Sequence, residues 1–161
     1  MPEAVFADIA TLRTGGKVDD YFIIHLMKPA RMPEVKITLK ASYLMCENEP
    51  RFVLHGTEGS YVKYGLDPQE ADLTKGMLPD TPHWGEEDES QWGILHTETD
   101  GNVVRKPYPT LPGNYAAFYE NIYQHIRNGA VLQSDACGVL GVIRLIEAAW
   151  ESSRTGNVIK L

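Results

Sequence analysis

The densest run of residues able to bind or brace through hydrogen bonds in this 161-residue chain is Lys63-Tyr64-Gly65-Leu66-Asp67-Pro68-Gln69-Glu70. A strand ending here delivers Lys63 and Tyr64 to opposite faces, because successive side chains of a strand alternate. The turn that follows gathers Asp67, Gln69 and Glu70. A cation, a phenol, two carboxylates and an amide in one place can hold a polyhydroxylated ligand. They can equally brace a dimer, and a strand end leading into a capped helical turn accounts for the same residues. Lys63, Tyr64, Asp67, Gln69 and Glu70 are therefore candidates for a substrate-side or interface role.

The remaining reactive residues are dispersed. His25, His55, His83, His96 and His125 show no His-x-His or His-x-x-x-His spacing, and no Cys-x-x-Cys joins them, so no metal site is expected. Cys46 and Cys137 are far apart and are read as small buried hydrophobes. The carboxylate pairs Asp19-Asp20 and Glu86-Glu87 are read as a solvated turn and a solvated loop. No serine lies in a Gly-x-Ser-x-Gly elbow. A dinucleotide site needs Gly-x-Gly-x-x-Gly between a strand and a helix, so that backbone can approach the diphosphate. Gly56-x-x-Gly59 falls in a hairpin and Gly138-x-x-Gly141 within a helix, so no bound cofactor is expected of this chain.

The elements that must position these residues follow from periodicity. Strands are expected at Val5–Arg13, Tyr21–Met27, Val35–Met45, Arg51–His55, Ser60–Tyr64, Gly93–Thr97 and Asn102–Lys106. The second is apolar on both faces, with Phe22, Ile24 and Leu26 on one and Tyr21, Ile23, His25 and Met27 on the other. Gly56-Thr57-Glu58-Gly59 and the Asp100-Gly101 pair mark hairpins. Residues 67–91 form a long polar stretch that opens with a short helix, Asp67 as its cap and Pro68 in its first position. Two further helices are expected. One is capped by Asn114 and stops at Gly129; the other is capped by Ser134 and stops at Gly156, before a closing strand at residues 158–161.

This order predicts an α+β fold: a broad, mostly antiparallel sheet with the two C-terminal helices on one face. The other face keeps Tyr21, Ile23 and Met27 or their opposites uncovered, and a second copy of the chain is its expected partner. The whole of residues 1–161 is expected to be one domain. A formal net charge of -7, from 22 acidic and 15 basic residues, argues against a nucleic-acid partner. No apolar run approaches the ~20 residues of a membrane span, no signal peptide is visible, and a cytoplasmic location is expected. The chain enters its first strand directly after Met1-Pro2, as a piece cut from a longer protein would.

The stretch Arg51 to Glu70, containing Arg51-Phe52-Val53-Leu54-His55-Gly56-Thr57-Glu58-Gly59 and the run through Gln69-Glu70, resembles the C-terminal domain of Gfo/Idh/MocA-type oxidoreductases. The ending agrees: Tyr115 to Tyr119, Asn128-Gly129, Ile146-Glu147-Ala148-Ala149, Ser152-Ser153 and Gly156 to Leu161. The resemblance implies a parent protein with an N-terminal Rossmann domain that oxidises or reduces sugars, inositols or related polyols with NAD or NADP. It implies a homodimer formed through the open sheet face. The family's Glu-Lys-Pro lysine and its Asp/His pair stand upstream of this chain, so no catalytic residue is carried over and the chain alone is expected to be inactive. The alternatives are a stand-alone dimeric binding or interaction module, and a small dimeric enzyme with a site under its sheet.

Overall fold

A computed structural model describes all residues from Met1 to Leu161. In chain order the elements are β1 (Pro2–Ala10), β2 (Tyr21–Pro29), β3 (Ile37–Ser42), β4 (Phe52–His55), β5 (Gly59–Lys63), α1 (Gln69–Thr74), a 3-10 turn (Glu89–Gln91), β6 (Gly93–Thr99), β7 (Asn102–Tyr108), α2 (Ala116–Asn128), α3 (Ala136–Thr155) and β8 (Ile159–Lys160). The class is α+β and every strand pairing is antiparallel. The single broad sheet expected from the strand order is, in its hydrogen bonding, two four-stranded ladders, β3-β2-β1-β8 and β4-β5-β6-β7. Alternation within a strand tells which residues share a face, but not which strand lies at an edge. The chain forms two compact units, residues 1–46 with 133–161, and residues 47–132.

In the first unit α3 lies on the sheet. Val5 and Ala7 of β1 meet Ala148 and Ala149 of α3, and Ile9, Ile24, Leu26 and Ile159 pack around them. Small residues on the helix let it approach the strand closely. Two serines one step further along α3 complete the contact. β8 pairs with β1 only at Ala4 and Val5, which leaves later amides of β1 without a strand partner. Ser152 Oγ accepts from Ala7 N at 2.9 Å and Ser153 Oγ accepts from Ile9 N at 2.9 Å. Buried amides must be paired, so the helix finishes what the short strand leaves undone. Asp135 rather than Ser134 caps α3, its side chain accepting from Gly138 N at 2.7 Å. The start shifts by one residue because either side chain can cap.

The opposite face of that sheet carries Phe6, Ile23, His25 and Thr38. The Phe6 and His25 rings stack with centroids 6.4 Å apart, and His25 Nδ1 lies 3.0 Å from Thr38 Oγ1. Phe6 remains 36% exposed although it is a large aromatic.

In the second unit the hairpins form as read. Asp100 and Gly101 both have positive φ, 53° and 75°, between the paired residues Thr99 and Asn102. That is the two-residue turn whose twist suits a hairpin. Tyr61 lies across Gly93 on the neighbouring strand so tightly that any side-chain carbon at position 93 would overlap its ring. Asn114 Oδ1 accepts from Ala117 N at 3.0 Å at the start of α2, and Gly129 ends the helix at φ 69°.

Candidate functional site

The sequence candidates separate into a buried group and an exposed group. β5 ends with Lys63 turned inward, its side chain 7% exposed. Its Nζ donates to Glu87 Oε1 at 2.8 Å, to Glu87 Oε2 at 2.6 Å and to the Gln91 carbonyl at 2.9 Å. An ammonium has three N–H donors, so Lys63 is fully occupied. The Glu87 side chain is only 3% exposed, which corrects the reading of Glu86-Glu87 as a solvated pair, although Glu86 itself is exposed. A lysine cannot be buried without a counter-charge, and the carboxylate that meets this need lies 24 positions downstream.

Asp67 and Gln69 form a second cluster. Asp67 Oδ1 accepts from Gln69 N at 2.8 Å, and the Gln69 amide nitrogen donates to both Asp67 oxygens at 2.9 and 2.8 Å. Gln69 Oε1 accepts from Trp84 Nε1 at 2.7 Å and from Tyr115 N at 2.8 Å. Gln69 is wholly buried, and this one side chain ties α1, the long polar stretch and the entrance of α2 together. Gly113 lies so close to Asp67 and Gln69 that a side chain there would overlap both. Asp67 thus sets the start of α1 by holding Gln69 N, with Pro68 as the cap residue.

Tyr64 and Glu70 do not join either cluster. Tyr64 is 65% exposed, and Glu70 is an exposed residue of α1 whose carbonyl accepts from Thr74 Oγ1. Sequence reasoning missed Glu87, Trp84 and Gly113. The only signal for Trp84 and Glu87 was position within the long polar stretch 67–91, of the kind that tends to carry function, and Gly113 had none.

Three further residues depart from their expected surroundings. Asp20, read as part of a solvated turn, is 4% exposed. Its carboxylate accepts from Leu12 N at 2.7 Å, Arg13 N at 3.1 Å and Arg13 Nε at 2.9 Å. The Leu12 amide, ahead of the opposing effect of burial and helped by Arg13, holds its pKa below the usual 3.8. Cys46 and Cys137 are exposed free thiols instead of buried hydrophobes. Asp88, whose side chain caps the 3-10 turn, is also held below 3.8 by hydrogen bonds from Ser90.

Beside the Lys63–Glu87 pair lies a cavity of about 250 Å3, with Phe52, Leu66, Asp67, Pro68, Thr110 and Leu111 among its walls. No three histidine, cysteine or carboxylate side chains converge as metal ligands. No helix is long and apolar enough to cross a membrane.

A nicotinamide dinucleotide does not fit what these residues offer. Its diphosphate requires free amides at a helix start, approached through glycine. At α1 the Gln69 amide is taken by the Asp67 carboxylate, and at α2 Tyr115 N and Ala117 N are taken by Gln69 and Asn114. At α3 the Gly138 amide is taken by Asp135. Two of the three starts present a carboxylate where an anion would have to sit.

The model of the oxidoreductase family C-terminal alpha/beta domain matches residues 2–161. Scyllo-inositol 2-dehydrogenase (NADP(+)) IolW of Bacillus subtilis is 34% identical over 161 residues, covering 100% of this chain and 44% of that protein. The crystal structure of a Bacteroides fragilis protein assigned to the oxidoreductases superposes with a TM-score of 0.94 at 60% identity, covering 100% of this chain and 48% of that one. An oxidoreductase from Bacillus cereus gives a TM-score of 0.83 at 33% identity, covering 99% and 46%. The chain spans less than half the length of these relatives. With matching sequence, strand order and helix placement from end to end, the chain belongs to the Gfo/Idh/MocA family of oxidoreductases, as its C-terminal alpha/beta domain.

Proposed function

We propose that this chain is the substrate-side and dimerisation domain of an NAD- or NADP-dependent sugar or polyol dehydrogenase that works in the cytoplasm. The observation that carries this reading is the full-length match to a relative named as an NADP-dependent scyllo-inositol dehydrogenase, of which the chain covers only 44%. Hydride transfer needs a cofactor held against a substrate carbon and an acid/base group beside the reacting hydroxyl. The Gln69, Tyr115, Ala117 and Gly138 amides at the helix starts are taken by this chain's own side chains, and the resemblance puts the acid/base groups upstream, so both cofactor and acid/base groups are assigned to the rest of the whole protein. Lys63, Asp67 and Gln69 then act as supports that fix one wall of the substrate pocket. The open sheet face with Phe6, Ile23 and His25 is the dimer contact.

The test is NAD+ and NADP+ reduction by the whole protein that contains this chain, with scyllo-inositol and a panel of sugars as substrates. The expected result is substrate-dependent NADH or NADPH formation. Absence of turnover with every polyol and sugar tested, in a folded dimeric sample, contradicts the proposal.

A further inference from the structure

The start of α2 carries three phenol rings about one helical turn apart. Tyr115, Tyr119 and Tyr123 recur at a spacing of four, which places them on one side of a helix. All three are exposed, Tyr119 by 71%. Together with Leu73 of α1 and Pro79 they wall a groove of about 500 Å3, within the roughly 300–1,000 Å3 of small-molecule sites. The groove lies wholly within residues 73–123. Its walls are fastened in advance. Gln69, wholly buried on the same short helix as Leu73, accepts from Tyr115 N at 2.8 Å and so ties α1 to the entrance of α2. Phe118 meets Tyr119 edge to face, with ring centroids 5.4 Å apart, and braces the most exposed of the three phenols.

One charged side chain, Glu120, lines the groove. Gln124 Nε2 donates to its Oε1 at 2.7 Å, which holds the carboxylate in place without neutralising it. No lysine or arginine lines the groove. Lys75, two positions beyond Leu73, is paired with Asp72 at 3.2 Å. The surrounding unit, residues 47–132, carries 14 acidic against 6 basic residues. These features select a ligand class. The face of an aromatic ring attracts a cation, most strongly where hydrocarbon on the cation displaces water. A carboxylate beside the rings adds direct Coulomb attraction. An anion meets repulsion from Glu120, and a neutral guest gains nothing from that charge. We infer that this groove is a binding site for an organic cation of the alkylammonium class, its charged head held between the tyrosines and Glu120. The inference stands apart from the dehydrogenase reading, which neither requires nor supplies such a ligand.

The experiment is calorimetric titration of the whole protein that contains this chain, at fixed ionic strength. The probes are choline and 3,3-dimethylbutan-1-ol, which has the same shape with carbon in place of the charged nitrogen. Saturable binding of choline at millimolar concentration is expected, with the neutral alcohol about three- to thirtyfold weaker. Tyr119→Leu keeps an apolar side chain at an exposed position and should weaken choline binding about three- to tenfold. Glu120→Gln, which keeps the shape and removes the charge, should also weaken it. Tyr108→Leu, at an exposed position on β7 outside the groove, should leave it unchanged. Equal affinity for choline and the neutral alcohol overturns the assignment of a cation. Choline binding that neither Tyr119→Leu nor Glu120→Gln weakens overturns the site. So does the absence of saturable choline binding to the whole protein, which would mean that the groove is covered there or has no affinity for the cation.

Discussion

In the unit formed by residues 1–46 and 133–161, the residues withdrawn from water are mainly hydrocarbon: Ala4, Val5, Ala7, Ala148 and Ala149, joined by Asp20 and Ser152. In residues 47–132 they are Lys63 and Gln69, with Gly85 and Gly93. Charge divides the same way. The first unit carries 8 acidic and 9 basic residues, the second 14 and 6, so the net -7 of the chain arises in the second. Apolar packing is non-directional and tolerates repacking. A buried ammonium or amide accepts few arrangements and makes each one costly to break. One unit is held by burial of hydrocarbon, the other by a small number of directional contacts around its cavity.

The largest expected effect breaks that contrast at its centre. Glu87→Ala leaves the Lys63 charge buried without a partner and should cost about 3–5 kcal/mol in denaturant unfolding. In the first unit, Val5→Ala at a fully buried position should cost about 2 kcal/mol from lost transfer energy and the small void left. Replacing both partners together, Lys63→Met with Glu87→Leu, should recover most of the Glu87→Ala loss. If Val5→Ala proves the more damaging, or the double replacement is as damaging as Glu87→Ala, the second unit does not depend on this pair.

A smaller effect sharpens the comparison, because the first unit also holds one buried carboxylate. Asp20 has a folded pKa below 3.8. Its contribution is fully present above the unfolded value and is lost as pH falls through the lower folded value. Stability measured from pH 5 downward should therefore fall less steeply in Asp20→Asn than in the parent. Identical acid limbs for the two proteins would show that the Leu12 and Arg13 contacts do not hold the carboxylate in solution.

Much of this was legible in the residues. The alternation in β2, the Asp-Gly turn and the stops at Gly129 and Gly156 are local signals, and each element formed within a few residues of its expected bounds. The Ala148-Ala149 and Ser152-Ser153 pairs, first noted as points of resemblance, turn out to be what seats α3 on β1. What could not be read was non-local. Nothing in Glu86-Glu87 shows which carboxylate will be buried, and nothing in Gln69 names Trp84 and the Tyr115 amide as partners. Periodicity assigns a face to a residue, whereas a polar partner is chosen by the folded path of the chain. The two ladders were hidden for the same reason, since strand order is a property of pairing.

As proposed, the dinucleotide is held outside this oxidoreductase-family domain, since the Gln69, Tyr115, Ala117 and Gly138 amides at its helix starts are taken by its own side chains. Fluorescence titration of the isolated 161-residue chain with NADPH, repeated with NADH, tests it most directly. The account predicts no saturable change with either nucleotide up to millimolar concentration. Saturable binding in the micromolar range would contradict it.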